Sequence, residues 1–142
     1  MTISTTNIKN SYSGNGSTDV FQYTFKITLD SEIEVIIRAS NGTETVKTIT
    51  THYTVSGAGN ASGGNVTFTS GNIPTNTETV ILRRNTTQVQ ALDLVENDPF
   101  SAETVESAFD KSISLVQEVQ EEVDRSIKNK HNDIYRIYSR CN

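Results

Sequence analysis

The sequence contains no tryptophan, one cysteine, one methionine and two prolines in 142 residues. A lone thiol, Cys141, closes no intrachain disulfide, so a disulfide framework does not hold this fold. It reads as an exposed tail thiol without a role. Long apolar runs are missing too: nothing approaches the ~20 residues that span a bilayer. The opening Met1-Thr-Ile-Ser-Thr-Thr has neither the basic nor the apolar region of a secretory signal, so synthesis in a cytoplasm without a membrane stage is the expectation. Basic residues are the minority, Lys and Arg numbering 12 against 17 Asp and Glu, for a net charge of −5. A duplex partner calls for a basic face, and only the segment from Lys128 onward approaches one, so no nucleic-acid partner is expected.

Chemistry-bearing sets are equally scarce. The two histidines, His52 and His131, have no ligand partners at metal spacing. The glycine-rich stretch 57–64 lacks the lysine of a phosphate loop and opens no helix, so it reads as a mobile hairpin loop. Asp19, Asp30, Glu32 and Glu34 could supply carboxylates, but Glu32 and Glu34 read as solvated or ladder positions on one strand face. No catalytic residue, metal or cofactor is expected, and the reading is non-enzymatic.

Thr, Ser and Asn dominate the first two thirds, a composition that favours strands and turns. Alternating or densely apolar runs appear at Val20–Lys26, Glu34–Ala39, Glu44–Ile49, His52–Val55, Asn65–Thr69 and Glu78–Arg84. Asn41-Gly42, two residues tolerant of positive φ, carries the strongest hairpin signal. Five or six strands at roughly ten-residue spacing, without helices between them, predict an antiparallel β-sandwich or partly open barrel. Its core is expected from Phe21, Tyr23, Phe25, Val35, Ile37, Val66, Phe68, Val80 and Leu82.

After Asp98-Pro99 the pattern turns helical and loses both Gly and Pro. Ser101 fits as N-cap, Phe100 and Val105 as a hydrophobic staple, and Glu103 and Glu106 suit the positive end of the helix dipole. Val105, Phe109, Val116, Val119 and Val123 then recur on alternating four- and three-residue steps, flanked by Ile113 and Ile127 and interrupted by Ser112. Those five are the candidate oligomer interface. The stripe suits packing on the chain's own β-domain, pairing with copies, or first turns for one and later turns for the other. The division is therefore a β-rich domain over residues 1–97, one long amphipathic helix over 98–128, possibly coiled-coil in character, and a basic tail over 129–142 that extends the helix or serves as a contact segment.

The order Tyr12-Ser-Gly-Asn-Gly-Ser-Thr-Asp-Val-Phe21-x-Tyr23-x-Phe25, His52-Tyr53-Thr54-Val55, Gly64-Asn65-Val66-Thr67-Phe68 and Val80-Ile81-Leu82-Arg83-Arg84-x-Thr86 resembles the N-terminal domain of tail-fibre proteins of T-seven-type short-tailed phages. Gln90-x-Leu92-Asp93 and Phe100-Ser-Ala-Glu-Thr-Val-Glu-x-Ala108-Phe-Asp110 resemble that family's passage into a helix. The resemblance covers roughly residues 8–128; the basic tail does not share it. It implies a virion structural part, located in the phage tail, that docks at the adaptor–nozzle junction or on another fibre. It also implies a homotrimer with no cofactor and no catalytic residue. Since the sequence lacks a distal receptor-binding part, the expectation shifts from host recognition to a connector or shortened fibre. The alternative is a host-surface or carbohydrate-binding β-module, which needs an exposed aromatic platform.

Overall fold

The computed structural model describes residues 6–89 and 101–138, with helix side chains described through 126. Seven strands precede one helix: β1 (Lys9–Ser13), β2 (Val20–Tyr23), β3 (Ile33–Arg38), β4 (Glu44–Lys47), β5 (Tyr53–Ser56), β6 (Gly64–Phe68), β7 (Thr79–Arg84) and α1 (Ala102–Tyr138). They form two antiparallel sheets, of order β1-β7-β3-β4 and β2-β6-β5. The sheets stay separate, so among the described residues the architecture is the sandwich and not a closed barrel.

Period-two alternation decides which side chains meet between the sheets. On β2, Phe21 and Tyr23 are buried while Val20 and Gln22 are exposed. On β7, Val80 and Leu82 point inward and lie opposite Ile37 and Val35 of β3. All nine expected core residues are buried, joined by Ile27, Ile33 and Tyr53 in one cluster that, among the described residues, contains none from the helix. Phe21 meets Phe68 edge-on at 5.7 Å between ring centroids, a preferred aromatic geometry. Burying side chains of this kind contributes ~1.5–3 kcal/mol each, so the sandwich carries its own stabilising core.

Strand β1 was not anticipated, because Lys9-Asn-Ser-Tyr-Ser has one large apolar residue. Backbone pairing with β7 recruits it, and side chains tie it to the other sheet at a corner. The Tyr12 hydroxyl donates to the Gln22 carbonyl at 2.6 Å, and the Thr24 N–H donates to Asn10 Oδ1 at 3.0 Å.

The β3–β4 hairpin falls where expected, with a different turn. Only Gly42 takes positive φ, at 85°, while the Asn41 side chain accepts the Thr43 N–H at 2.9 Å. Of the 57–64 stretch, residues 57–63 form the β5–β6 hairpin loop and Gly64 opens β6; the Gly59 N–H anchors the loop to the Ile27 carbonyl at 2.8 Å. A Cβ on Gly63 would collide with the Tyr23 carbonyl. Gly63 therefore serves close backbone approach, whereas Gly59 supplies a positive φ of 81° in open space.

One expectation is overturned. Glu32 lies in a 3₁₀ turn, Asp30–Glu32, and is buried instead of sitting solvated on a strand face. Its carboxylate accepts the Thr28 N–H at 2.8 Å and the Leu29 N–H at 3.2 Å, which compensates the loss of water. Glu34 does occupy a ladder position, accepting from Arg83 Nε across the sheet at 3.1 Å.

Candidate interaction surfaces on the helix

The helix opens at Ser101, whose carbonyl accepts the Val105 N–H at 3.3 Å. Pro99, Phe100 and the proposed staple lie outside the described residues, as do Leu92 and Asp93. The backbone remains helical to Tyr138, so the helix runs past the expected boundary at 128 and into the basic segment.

Helical geometry separates two faces of this element. Asp110, Ser114, Gln117, Glu118 and Glu121 follow steps of three and four residues and share one side. That side meets the sandwich. Glu118 is the centre of the joint: it accepts Arg84 Nε at 3.0 Å, the Thr86 N–H at 3.1 Å and the Thr86 hydroxyl at 2.6 Å. The Arg84 Nη2 group donates to Gln117 Oε1 at 2.7 Å and to the Ser114 carbonyl at 3.2 Å. Lys26 Nζ donates to Asp110 Oδ2 at 3.0 Å one end of the joint away, and Lys9 pairs with Glu121 at 3.7 Å at the other. Lys111 Nζ donates to the Val89 carbonyl.

Burial makes the Arg84 contacts consequential. Its side chain is 2% exposed and that of Glu118 14%. Taking such charges out of water is costly, and the full set of hydrogen bonds offsets that cost. Removing one partner of a buried pair typically costs about 3–5 kcal/mol, because the other is left uncompensated. Apolar cover on this side is thin, coming among the described residues from the half-buried Ala108 and Leu115. Leu115 and the edge of Val119 line a small groove with Ile8 beside Arg84.

The opposite side of the same turns is apolar and open. Phe109 is 67% exposed, Val116 65%, Val119 58%, Ile113 50% and Val123 43%. Four of the five candidate interface residues thus line one outward stripe, and the fifth, Val105, is half-buried near the helix start. Both faces use the same stretch of helix, where the sequence reading had allowed for successive stretches. A face of this composition normally turns inward. Here the polar face docks and the apolar face is presented.

The joint escaped sequence reading, although two signals were present. Arg84 continues the inward alternation of Val80 and Leu82, which places it at the mouth of the core. The polar positions opposite the stripe keep helical spacing, a pattern that also describes an ordinary solvated face.

Elsewhere, chemistry-bearing side chains serve the fold. His52 is half-buried, and its Nδ1 accepts the Thr48 N–H at 3.0 Å within a turn. Burial, reinforced by Asp30, pushes the Tyr23 phenol up to about 12, and its hydroxyl donates to the Ser56 carbonyl at 2.7 Å. Burial first and Glu34 second raise Tyr53 above its ordinary value. The strand aromatics Phe21, Tyr23, Tyr53 and Phe68 lie inside the sandwich and offer no outward platform. Among the described residues no cluster of His, Cys, Asp and Glu is placed to hold a metal ion, and no helix is long and apolar enough to cross a membrane.

No family model matches the sequence. Over 121 residues the chain is 38% identical to the tail spike protein of Salmonella phage epsilon15, a match that covers 84% of this chain. The chain spans about a tenth of that relative's length, the match covering 11% of it. This sandwich with its outward-facing helix is accordingly similar to a segment of a phage tail protein.

Proposed function

We propose that the chain is a non-enzymatic attachment module of a phage tail, made in the host cytoplasm and built into the virion. In this reading the sandwich docks on other tail proteins at the adaptor–nozzle junction, or on another fibre. The outward helix stripe joins copies of the chain, as a homotrimer. The match to a tail spike protein over 84% of the chain carries the reading. The presented stripe of Phe109, Ile113, Val116, Val119 and Val123 supports the self-associating part. Exposed apolar surface gathered on one face is a usual mark of an interaction site, and joining copies multiplies weak docking contacts. No metal, cofactor or catalytic residue enters this role.

The test has two parts. Mass photometry or sedimentation of the full chain should give three times the 15.6 kDa chain mass. Mixing with recombinant adaptor and nozzle proteins of the same virion should give a stable co-complex. A strict monomer that also binds neither tail protein overturns the reading.

A further inference from the structure

The joint between helix and sandwich differs in kind from the core beside it. Among the described residues no helix side chain belongs to the core cluster. The contacts that hold the helix are mainly ion pairs and hydrogen bonds spread along it, with limited apolar cover from Ala108 and Leu115. Lys26 holds Asp110; Arg84 and Thr86 hold Glu118; Lys9 holds Glu121. Each of these groups is one that water and salt ions solvate well once it is exposed. Leaving the sandwich therefore hydrates Arg84 and Glu118 together, whereas losing one partner while docked strands the other. Cohesion of this type favours an all-or-none release over piecemeal fraying.

From this geometry we infer that the joint is a charge latch: α1 leaves the sandwich and re-docks as a unit while the sandwich stays folded. Such a latch lets the outward stripe adopt the orientation its neighbours require without loss of the β-core. The inference stands on the joint alone and does not depend on the tail-attachment reading.

The Thr86 amide is a built-in reporter, since its N–H donates to Glu118 of the helix. The Leu82 amide, on a strand paired on both sides, reports unfolding of the sandwich. Residue-resolved native-state hydrogen exchange of the full chain tests the latch. Relative to intrinsic rates, Thr86 should exchange roughly a hundredfold faster than Leu82 and respond weakly to added denaturant, because little surface opens. Asp110→Asn, two helical turns from Glu118, should speed Thr86 exchange about tenfold, because it removes one of the charges that hold the helix. Asp124→Asn, on the same helix and outside the joint, should leave it unchanged.

Two results overturn the inference. If Thr86 exchanges at the Leu82 rate with the same denaturant slope, the helix leaves only when the sandwich unfolds. If Thr86 exchanges fast but ignores Asp110→Asn, the strand end frays by itself.

Discussion

The sandwich and the helix are stabilised by opposite means within one chain. Between the sheets, Tyr23, Val35, Val66, Val80 and Leu82 are wholly buried, and cohesion there comes from apolar area removed from water. Between helix and sandwich, charged groups meet, and the helix leaves Phe109, Ile113, Val116 and Val123 facing outward. An apolar core resists substitution through volume, since its atoms are close-packed. A polar joint resists through complementarity, since each group needs its partner. The two regions should therefore answer differently to cavities, protons and charge removal. Damage to sandwich stability should accordingly fall from the core, through the joint, to the outward helix face.

Leu82→Ala should have the largest effect. The residue is fully buried in the central strand pair β3–β7. Truncation removes apolar burial and leaves a cavity, at a cost of about 3–4 kcal/mol. Chemical denaturation followed by circular dichroism should show an earlier midpoint with an unchanged slope.

Alkali should attack the same core through Tyr23. Its folded pKa of about 12 exceeds the ordinary value of 10, so the folded chain keeps a proton that the unfolded chain releases. Stability is then fully present below pH 10 and falls between pH 10 and 12, by about 2–3 kcal/mol at 1.36 kcal/mol per unit. Tyr23→Phe should melt at a lower temperature at neutral pH, having lost the bond to Ser56, and decline less across that window. A parallel decline in both proteins would remove Tyr23 as the cause.

Much of this contrast was legible in the sequence, and the rest was hidden for physical reasons. The core could be listed from alternation alone, because β-strands repeat every two residues and Phe21, Tyr23, Val66 and Phe68 obey it. Strand β1 was hidden because backbone hydrogen bonds recruit it to β7, and they leave no apolar signature. Glu32 was misplaced because its burial depends on the 3₁₀ turn that folds its carboxylate back onto Thr28 and Leu29. The apolar stripe was readable by spacing, while its direction was set by partners distant in sequence. Arg84 and Glu118 are 34 residues apart and nothing local links them.

The joint should respond to charge with a bounded loss. Glu118→Gln leaves Arg84 without its counter-charge, and docking should weaken until the helix comes free. Sandwich unfolding can then lose no more than the docking free energy, on the order of 2 kcal/mol once partial exposure is allowed for. Adding Asp110→Asn to Glu118→Gln should cost almost nothing further, because an undocked helix has no joint left to lose. Additive losses in thermal melts of the single and double variants would instead mean that the contacts act independently.

Phe109→Asp should affect sandwich stability least, and its value lies in separating the two helix faces. The side chain is 67% exposed and points away from the joint, so the β-core should shift by less than about 0.5 kcal/mol. The oligomer should respond strongly, because a carboxylate in an apolar seam loses its hydration without gaining a partner. Mass photometry of the variant should therefore show dissociation towards single chains while circular dichroism melts of the sandwich stay close to those of the parent. An unchanged oligomer mass would take Phe109 out of the seam. A mass change matched by an equal fall in sandwich stability would mean that the outward face and the core are one cooperative unit, against the separation drawn from the core cluster.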